Sequence, residues 1–357
     1  MSNTHDTVLA TQFADMAERL FGDLATPQVI EAAEDGIFPQ ALWDAIEESG
    51  ICLAIVPEAQ GGIGATLADA AAVLRVAGFH AVPGPLAETL LANHFLGAAG
   101  LPPVEGFAAL AFVSGGADVG AGADALPSVA HVAWAGLAAE IVLVHVGDQS
   151  VPSSKRPARI CRVAPASFEH VGVVDVDGEP HDMLAPTGGA TAAWQTLPDM
   201  TGAQCMQHAS VLRAAQMAGA MQWCLRRTTE YALERKQFGR EIGRFQVVQQ
   251  MIAELASATV ACQAAVDAAV AEPSNALLVA AARSRLGDGV DTVCSVSHQV
   301  HGAIGFSYEY ALHFRTRRLM SWRDQFGTVA DWRRVLAGAF MGRSADEIWI
   351  RLSAATR

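Results

Sequence analysis

The sequence predicts an α+β fold that is mostly α, with an N-terminal helical domain, a small middle β domain and a C-terminal four-helix bundle. Three observations carry that expectation. In the first hundred residues apolar side chains recur at steps of three and four, as in Phe13, Met16, Leu20 and Phe21, the period of a helix with one buried face. Between about 105 and 197 the pattern changes to short apolar runs at 108–113, 129–134, 141–146 and 171–176, separated by Gly, Asp, Pro and Ser. That spacing predicts an antiparallel β unit with turns. From 201 to 234 the chain is a long run of Ala, Met, Leu and Gln, too uniformly apolar for a surface helix, and 251–271 and 277–300 continue it. Domain boundaries are expected at 1–104, 105–197 and 198–357.

The 357 residues suffice for two or three packed units, and 51% of them are apolar against 17% charged. No apolar run reaches the roughly 18 residues that span a bilayer. The start of the chain lacks the basic-then-apolar pattern of a signal peptide. A soluble, cytoplasmic chain without a membrane partner is expected. A formal charge of −13 argues against a nucleic-acid partner, which needs a basic surface. The six cysteines (Cys52, Cys161, Cys205, Cys224, Cys262 and Cys294) form no C-x-x-C pair and read as small core residues of a reduced compartment.

Taken in order, Phe38, Leu42, Trp43 and Ile46 form a second apolar stripe ending at Gly50. Pro57 and Gly61-Gly62 break the helix, Gly64 extends the turn, and Thr66 to Asp69 is a helix entry. A glycine loop ahead of a helix can hold a phosphate, but a tight turn between packed helices is the commoner outcome. Residues 83–100 read as one further helix ending at glycine. The stretch GGADVGAGAD, 115–124, has the glycines of a dinucleotide loop without the strand and helix that should flank them. It is read as a hairpin or loop, not a Rossmann element.

The stretch YALERKQFGREIGRFQVVQQMIAEL, 231–255, reads as helix, short polar break, helix. Arg235, Lys236 and Arg240 surround Phe238-Gly239, and Phe245, Val248, Ile252 and Leu255 then recur at helical spacing. Guanidinium groups and a glycine between two apolar helices suit a phosphate, because Arg offers planar paired donors. A solvated basic turn is the plain alternative. The pattern R-x-x-F-G…F-Q…Q resembles a signature of the acyl-CoA dehydrogenase family, a set of flavoenzymes. The loop VPEAQGGIG resembles one near the start of those enzymes. The segment HQVHGAIGFSYEYALHFRTRRL, 298–319, resembles another, with Ala303 where the family has a second glycine. Here Gly302 and Gly305 permit close backbone approach, and Gln299 offers both donor and acceptor. His298, His301 and His313 lack a cysteine or carboxylate cluster at ligand spacing, so they read as structural and no metal is expected. Arg315, Arg317 and Arg318 read as a solvated helix end.

The resemblance implies FAD as cofactor. It implies that Arg235 and Phe238 hold the pyrophosphate and adenine region, that Gln246, Gln299 and Gly302 lie near the same nucleotide, and that Thr328 belongs to the same site. In such enzymes these groups reach FAD seated on a neighbouring subunit. The resemblance therefore implies a homo- or hetero-oligomer, a dimer or tetramer, with a sister acyl-CoA dehydrogenase chain. It also implies an acyl-CoA substrate and electron-transferring flavoprotein as acceptor. Shorter subunits of this kind, which pair two-plus-two and act on bulky steroid side-chain CoA esters, are the nearest resemblance.

Dehydrogenation of an acyl thioester removes a weakly acidic α-proton, so a carboxylate in a desolvated pocket is required, with donors at the thioester carbonyl. The family's usual base is the Glu of a Y-E-G-T tetrapeptide. Here the matching residues are Phe326-Gly327-Thr328, without an acid. The family's other base position falls in 202–229, which contains no Asp or Glu. Asp324, two residues before Phe326, is the candidate catalytic base that the chain still offers. Its plain alternative is an ion pair with Arg323 or a helix cap. The family's T-E-P-x-x-G-S loop, which seats the isoalloxazine ring, has no counterpart between 105 and 197. Two expectations stay open: an active dehydrogenase subunit forming an α,β double bond, or a non-catalytic partner completing the FAD site of a catalytic sister chain. An acyl-CoA binding or scaffolding protein without redox chemistry is the third.

Overall fold

The structure, a computed structural model, describes residues 2–115, 125–147 and 156–354. Of the glycine-rich stretch, 116–124 lies outside them. Five helices come first: α1 (Ser2–Leu24), α2 (Pro27–Glu34), α3 (Gln40–Glu48), α4 (Leu67–His80) and α5 (Leu86–Ala98). The entry to α4 is a capping box, in which the Thr66 side chain accepts from the Asp69 backbone and the Asp69 carboxylate accepts from the Thr66 backbone. The glycine loop before it is a turn folded on Val56, not an open cradle: a side chain at Gly62 would run into the Val56 backbone.

The middle region holds β1 (Ala108–Val113), β2 (Val129–Ala133), β3 (Glu140–His145), β4 (Pro157–Val163), β5 (Phe168–Val174), β6 (Pro180–Pro186) and β7 (Gln195–Thr201). These form two sheets, ordered β1-β3-β4-β7 and β2-β6-β5. The expected all-antiparallel unit is corrected at one pair, because β1 and β3 run parallel, Ala108 facing Glu140 through Val113 facing His145. The intervening β2 leaves for the second sheet, so β3 returns beside β1 in the same direction. Both strands are almost wholly buried, as parallel neighbours covered on two faces are. β4, β6 and β7 have no continuous apolar run and were invisible to the periodicity. β7 continues to Thr201, through the boundary expected at 197.

Thr201 then caps α6 (Gly202–Glu234), again by a capping box, with Gln204. A hairpin of β8 (Lys236–Gln237) and β9 (Arg240–Glu241) leads to α7 (Gln246–Ala271), α8 (Ala276–His301), α9 (Leu312–Trp322), α10 (Val329–Phe340) and α11 (Ala345–Ala354). As its composition predicts, α6 is buried along most of its length and is the axis on which α4, α7, α8 and α9 pack. One continuous apolar core runs through all three regions. All six cysteines are buried free thiols within it, and burial pushes Cys52 up to about 12. The helix α7 is long and apolar enough by composition to cross a membrane. Here Leu255, Ala258, Cys262, Val266 and Ala269 form its buried stripe, and it packs on α6 and α8.

The N-terminal helices are held to α6 by backbone-to-backbone approach. A Cβ at Gly78 of α4 would collide with the Gln216 carbonyl of α6, and one at Gly219 would collide with the Arg75 carbonyl. Neither obstacle is a flexible side chain, so the helices would have to separate. Gly219→Ala is expected to cost on the order of 1–3 kcal/mol, read as a lower urea midpoint with an unchanged slope. An unaltered midpoint would mean that the two helices are not this close.

Candidate functional site

The polar break after α6 is a two-residue β-hairpin. Lys236 pairs with Glu241 and Gln237 with Arg240, leaving Phe238 (φ 50°) and Gly239 (φ 81°) as the loop. Positive φ at both central residues is the geometry that matches the twist of the flanking strands. It aims Phe238 outward, 90% exposed, with its ring 6.1 Å edge-on from Phe245. The Arg240 guanidinium lies 4.3 Å over the Phe245 ring. Arg235 and Gln246 are exposed at the base of the same hairpin. Neither Arg235 nor Arg240 has an ion-pair partner among the described residues. This donor set, two guanidinium groups without ion-pair partners, Arg240 over the Phe245 ring, beside an exposed Phe238, fits the pyrophosphate and adenine of a dinucleotide.

The second segment reaches the same place. Gly302 ends α8 at φ 64° with open space where a Cβ would stand, and Gln299 is exposed one turn earlier. Tyr231, four residues before Arg235, stacks on His301 at 4.5 Å, and its hydroxyl donates to the His301 carbonyl at 3.4 Å. His301 Nδ1 donates to Ser297 O at 2.7 Å, which leaves Nε2 to accept from the Tyr310 hydroxyl at 3.1 Å. Burial holds the His301 pKa below its usual value, so the neutral acceptor form is the one present at pH 7. His298 bonds Thr316, and His313 bonds the Tyr310 carbonyl. The structure thus brings Arg235, Phe238, Gln246, Gln299 and Gly302 to one exposed face.

Asp324 and Thr328 lie elsewhere. The Asp324 side chain is 46% exposed, takes a hydrogen bond from Arg323 Nε at 3.2 Å and caps α10 through Val329 N at 3.3 Å. Both plain alternatives, ion pair and cap, are realised together. This is a solvated carboxylate on an open groove, not the desolvated one that α-proton abstraction requires. The Thr328 hydroxyl is committed to the α10 capping box with Asp331. Arg315 and Arg318 are buried, correcting the solvated helix end. Arg315 lies 4.2 Å over Trp223 and donates to Phe79 O, and burial draws its pKa down to about 9. Arg318 meets Glu179, with Nη2 to Oε1 at 2.6 Å.

The position of the family's acid does point inward, and it carries Phe326. Its ring lies 5.5 Å from Phe112, and its carbonyl accepts from Ser210 Oγ at 2.6 Å. The loop is drawn in by buried Arg283, whose Nη2 donates to the carbonyls of Arg323 at 2.9 Å and Gln325 at 2.6 Å. Behind Phe326 is a cleft formed by α5, α6, the β6 turn and the end of α9. Within it Arg213 bonds Glu88 and Gln216, with its guanidinium 5.2 Å over Trp322 and 5.3 Å over Phe326. Arg213, Gln216 and Glu88 are all buried. Asp177, Glu179 and His181 close the β side, and the space left is about 20 Å³, room for about one water. Sequence reading missed this plug. Its signal was present: Arg213 is the one charged residue between Gly202 and Leu225 of α6.

Two stretches match family models, residues 9–100 the acyl-CoA dehydrogenase N-terminal domain and residues 202–336 the C-terminal domain. Acyl-CoA dehydrogenase IpdE2 of Mycobacterium tuberculosis is 31% identical over 299 residues, covering 82% of this chain and 85% of that protein. The chain belongs to the acyl-CoA dehydrogenase family. Solved structures share its fold. One is the ChsE4-ChsE5 complex from Mycobacterium tuberculosis, with TM-score 0.78 at 18% identity, covering 94% of this chain and 98% of that one. Another is a variant of the Tcur3481-Tcur3483 steroid ACAD, with TM-score 0.75 at 21% identity, covering 92% and 98%.

Two measurements test how the cleft of this acyl-CoA dehydrogenase homologue is held. Arg213→Met leaves Glu88 buried without its cation and should cost about 3–5 kcal/mol. Adding Glu88→Leu should recover most of that loss in chemical unfolding, and a double variant as unstable as the single would show that the pair is not the source. Beside it, His94 Nε2 and His208 Nδ1 face each other at 3.2 Å across α5 and α6. Burial, with His94 second, draws His208 down to about 4, and burial lowers His94. The folded chain resists protonation that the unfolded chain accepts below about 6.5. Stability should therefore fall as pH drops from about 6.5 towards 4, and His208→Gln should flatten that part of the thermal-stability profile.

Proposed function

We propose that this chain is the flavin-completing subunit of a mixed acyl-CoA dehydrogenase assembly, in which a sister chain carries out proton abstraction. The observation that carries this reading is the Glu88–Arg213 plug behind Phe326. A cleft with about 20 Å³ free holds no acyl chain, since small-molecule sites need about 300 Å³ or more. Where the family's acid stands this chain has a phenyl ring, and Asp324, the carboxylate nearest to it in sequence, is solvated and paired. The exposed face with Arg235, Phe238, Gln246, Gln299 and Gly302 is what the chain contributes, holding the nucleotide end of FAD across a subunit boundary. When bound, the flavin supplies the hydride acceptor for the substrate's Cβ. The sister chain supplies the ring seat and the base, so that the assembly forms an α,β double bond in a CoA thioester. Electron-transferring flavoprotein is the acceptor that fits such an enzyme. The substrate class we favour is a bulky steroid side-chain thioester, since the similar Tcur3481-Tcur3483 protein is a steroid ACAD.

Absorption spectra of the chain purified alone and with its co-expressed sister chain test the reading. The expected outcome is no flavin band alone and a flavin band in the complex. Within that complex Asp324→Asn should leave turnover within about twofold. A loss of about a hundredfold or more, the scale of removing a general base, would put the base in this chain and overturn the assignment. A flavin band in the chain alone would show a self-sufficient site.

A further inference from the structure

The hairpin region 226–244 carries six cations and three carboxylates within a chain of net charge −13. Its carboxylates are distributed unevenly. Glu241 is taken by Arg244 at 2.6 Å, with Lys236 at 3.9 Å. Glu230 and Glu234, which lie on the last turns of α6 before Arg235, are both held by Arg227, and Glu230 also meets Arg226 Nε at 3.6 Å. Arg227 Nη1 reaches Glu230 Oε2 at 3.1 Å, and its Nη1 and Nη2 grip the two oxygens of Glu234 at 3.3 and 3.1 Å. The remaining donor, Nε, goes to the Tyr310 hydroxyl at 2.8 Å, and Tyr310 in turn donates to His301. One guanidinium therefore meets three acceptors in a fixed fork, a task that the single ammonium of a lysine could not perform. Glu234 adjoins Arg235 in sequence and is 61% exposed.

We infer that Arg227 is a positioning residue for the flavin-nucleotide site. It withdraws Glu230 and Glu234 from Arg235, keeping that guanidinium free for a diphosphate. This rests on the flavin reading of the hairpin given under the proposed function. A purely structural Arg227 would hold the helix end whatever the charge at 230 and 234. An Arg227 that acts by sequestering charge becomes dispensable once those carboxylates are gone.

The test is FAD titration into the flavin-stripped complex of this chain with its sister chain, followed by flavin fluorescence, with the melting temperature of each stripped complex as the folding control. Arg227→Gln should raise the Kd on the order of fivefold, and less in 0.5 M salt, where exposed charges are screened. Adding Glu230→Gln and Glu234→Gln should bring the Kd back to within about twofold of wild type. An unchanged Kd in Arg227→Gln, or a triple variant as weak as the single, would overturn the inference while leaving the flavin site intact. A wild-type complex that takes up no FAD would overturn the flavin reading itself, and this assignment with it.

Discussion

The three regions of this molecule meet on one carboxylate. Glu179, in the turn before β6, accepts from Gly84 N at 2.9 Å and from Trp134 Nε1 at 2.7 Å through one oxygen. Through the other it accepts from Arg318 Nη2 at 2.6 Å and Nε at 3.2 Å. The first donor belongs to the N-terminal helical region, the second to the β region and the third to α9. A buried charge is tolerable only when its lone pairs are satisfied, so each region is needed to make the others' contact favourable. Arg317 and Glu34 continue the network at 2.8 Å. The mutual position of α5, α6 and the β6 turn, and hence the shape of the cleft between them, follows from this junction.

Given that frame, the cleft is decided by a few side chains. Arg213 lies on the buried face of α6, where an unpaired guanidinium would be prohibitively costly, and Glu88, Gln216 and two aromatic faces compensate it. The same residues leave about 20 Å³ of free space in that cleft. Burial also raises the Asp177 carboxyl at the β side of the cleft, with Glu179 adding to the effect. The outer face is the opposite case: Phe238, Phe306 and Tyr308 stand largely exposed, and Arg235 and Arg240 have no ion-pair partner among the described residues.

Periodicity made the helices legible because a 3.6-residue repeat is a property of consecutive residues, and so was the Thr66 cap, which depends on residues three apart. Two glycine-bearing turns, at 238–239 and at 302, were legible through their motifs. The parallel pairing of β1 with β3 was not, because pairing is set by where β2 goes. Arg315 and Arg318 read as solvent-facing since charge near a helix end usually is. Their burial comes from Phe79, Trp223 and Glu179, which lie more than ninety residues away in sequence.

The sequence by itself determined the family, the helical ends with a β region between them, and the absence of an acid at 326, all of which follow from local order along the chain. Tertiary structure decided that Asp324 is a solvated cap, that Arg213 and Glu88 close the cleft, and that Arg227 disarms the carboxylates beside Arg235. The physical reason is common to all three. The environment of a charged group depends on which distant groups share its volume, and its solvation, pairing and reach are fixed only when the chain has folded.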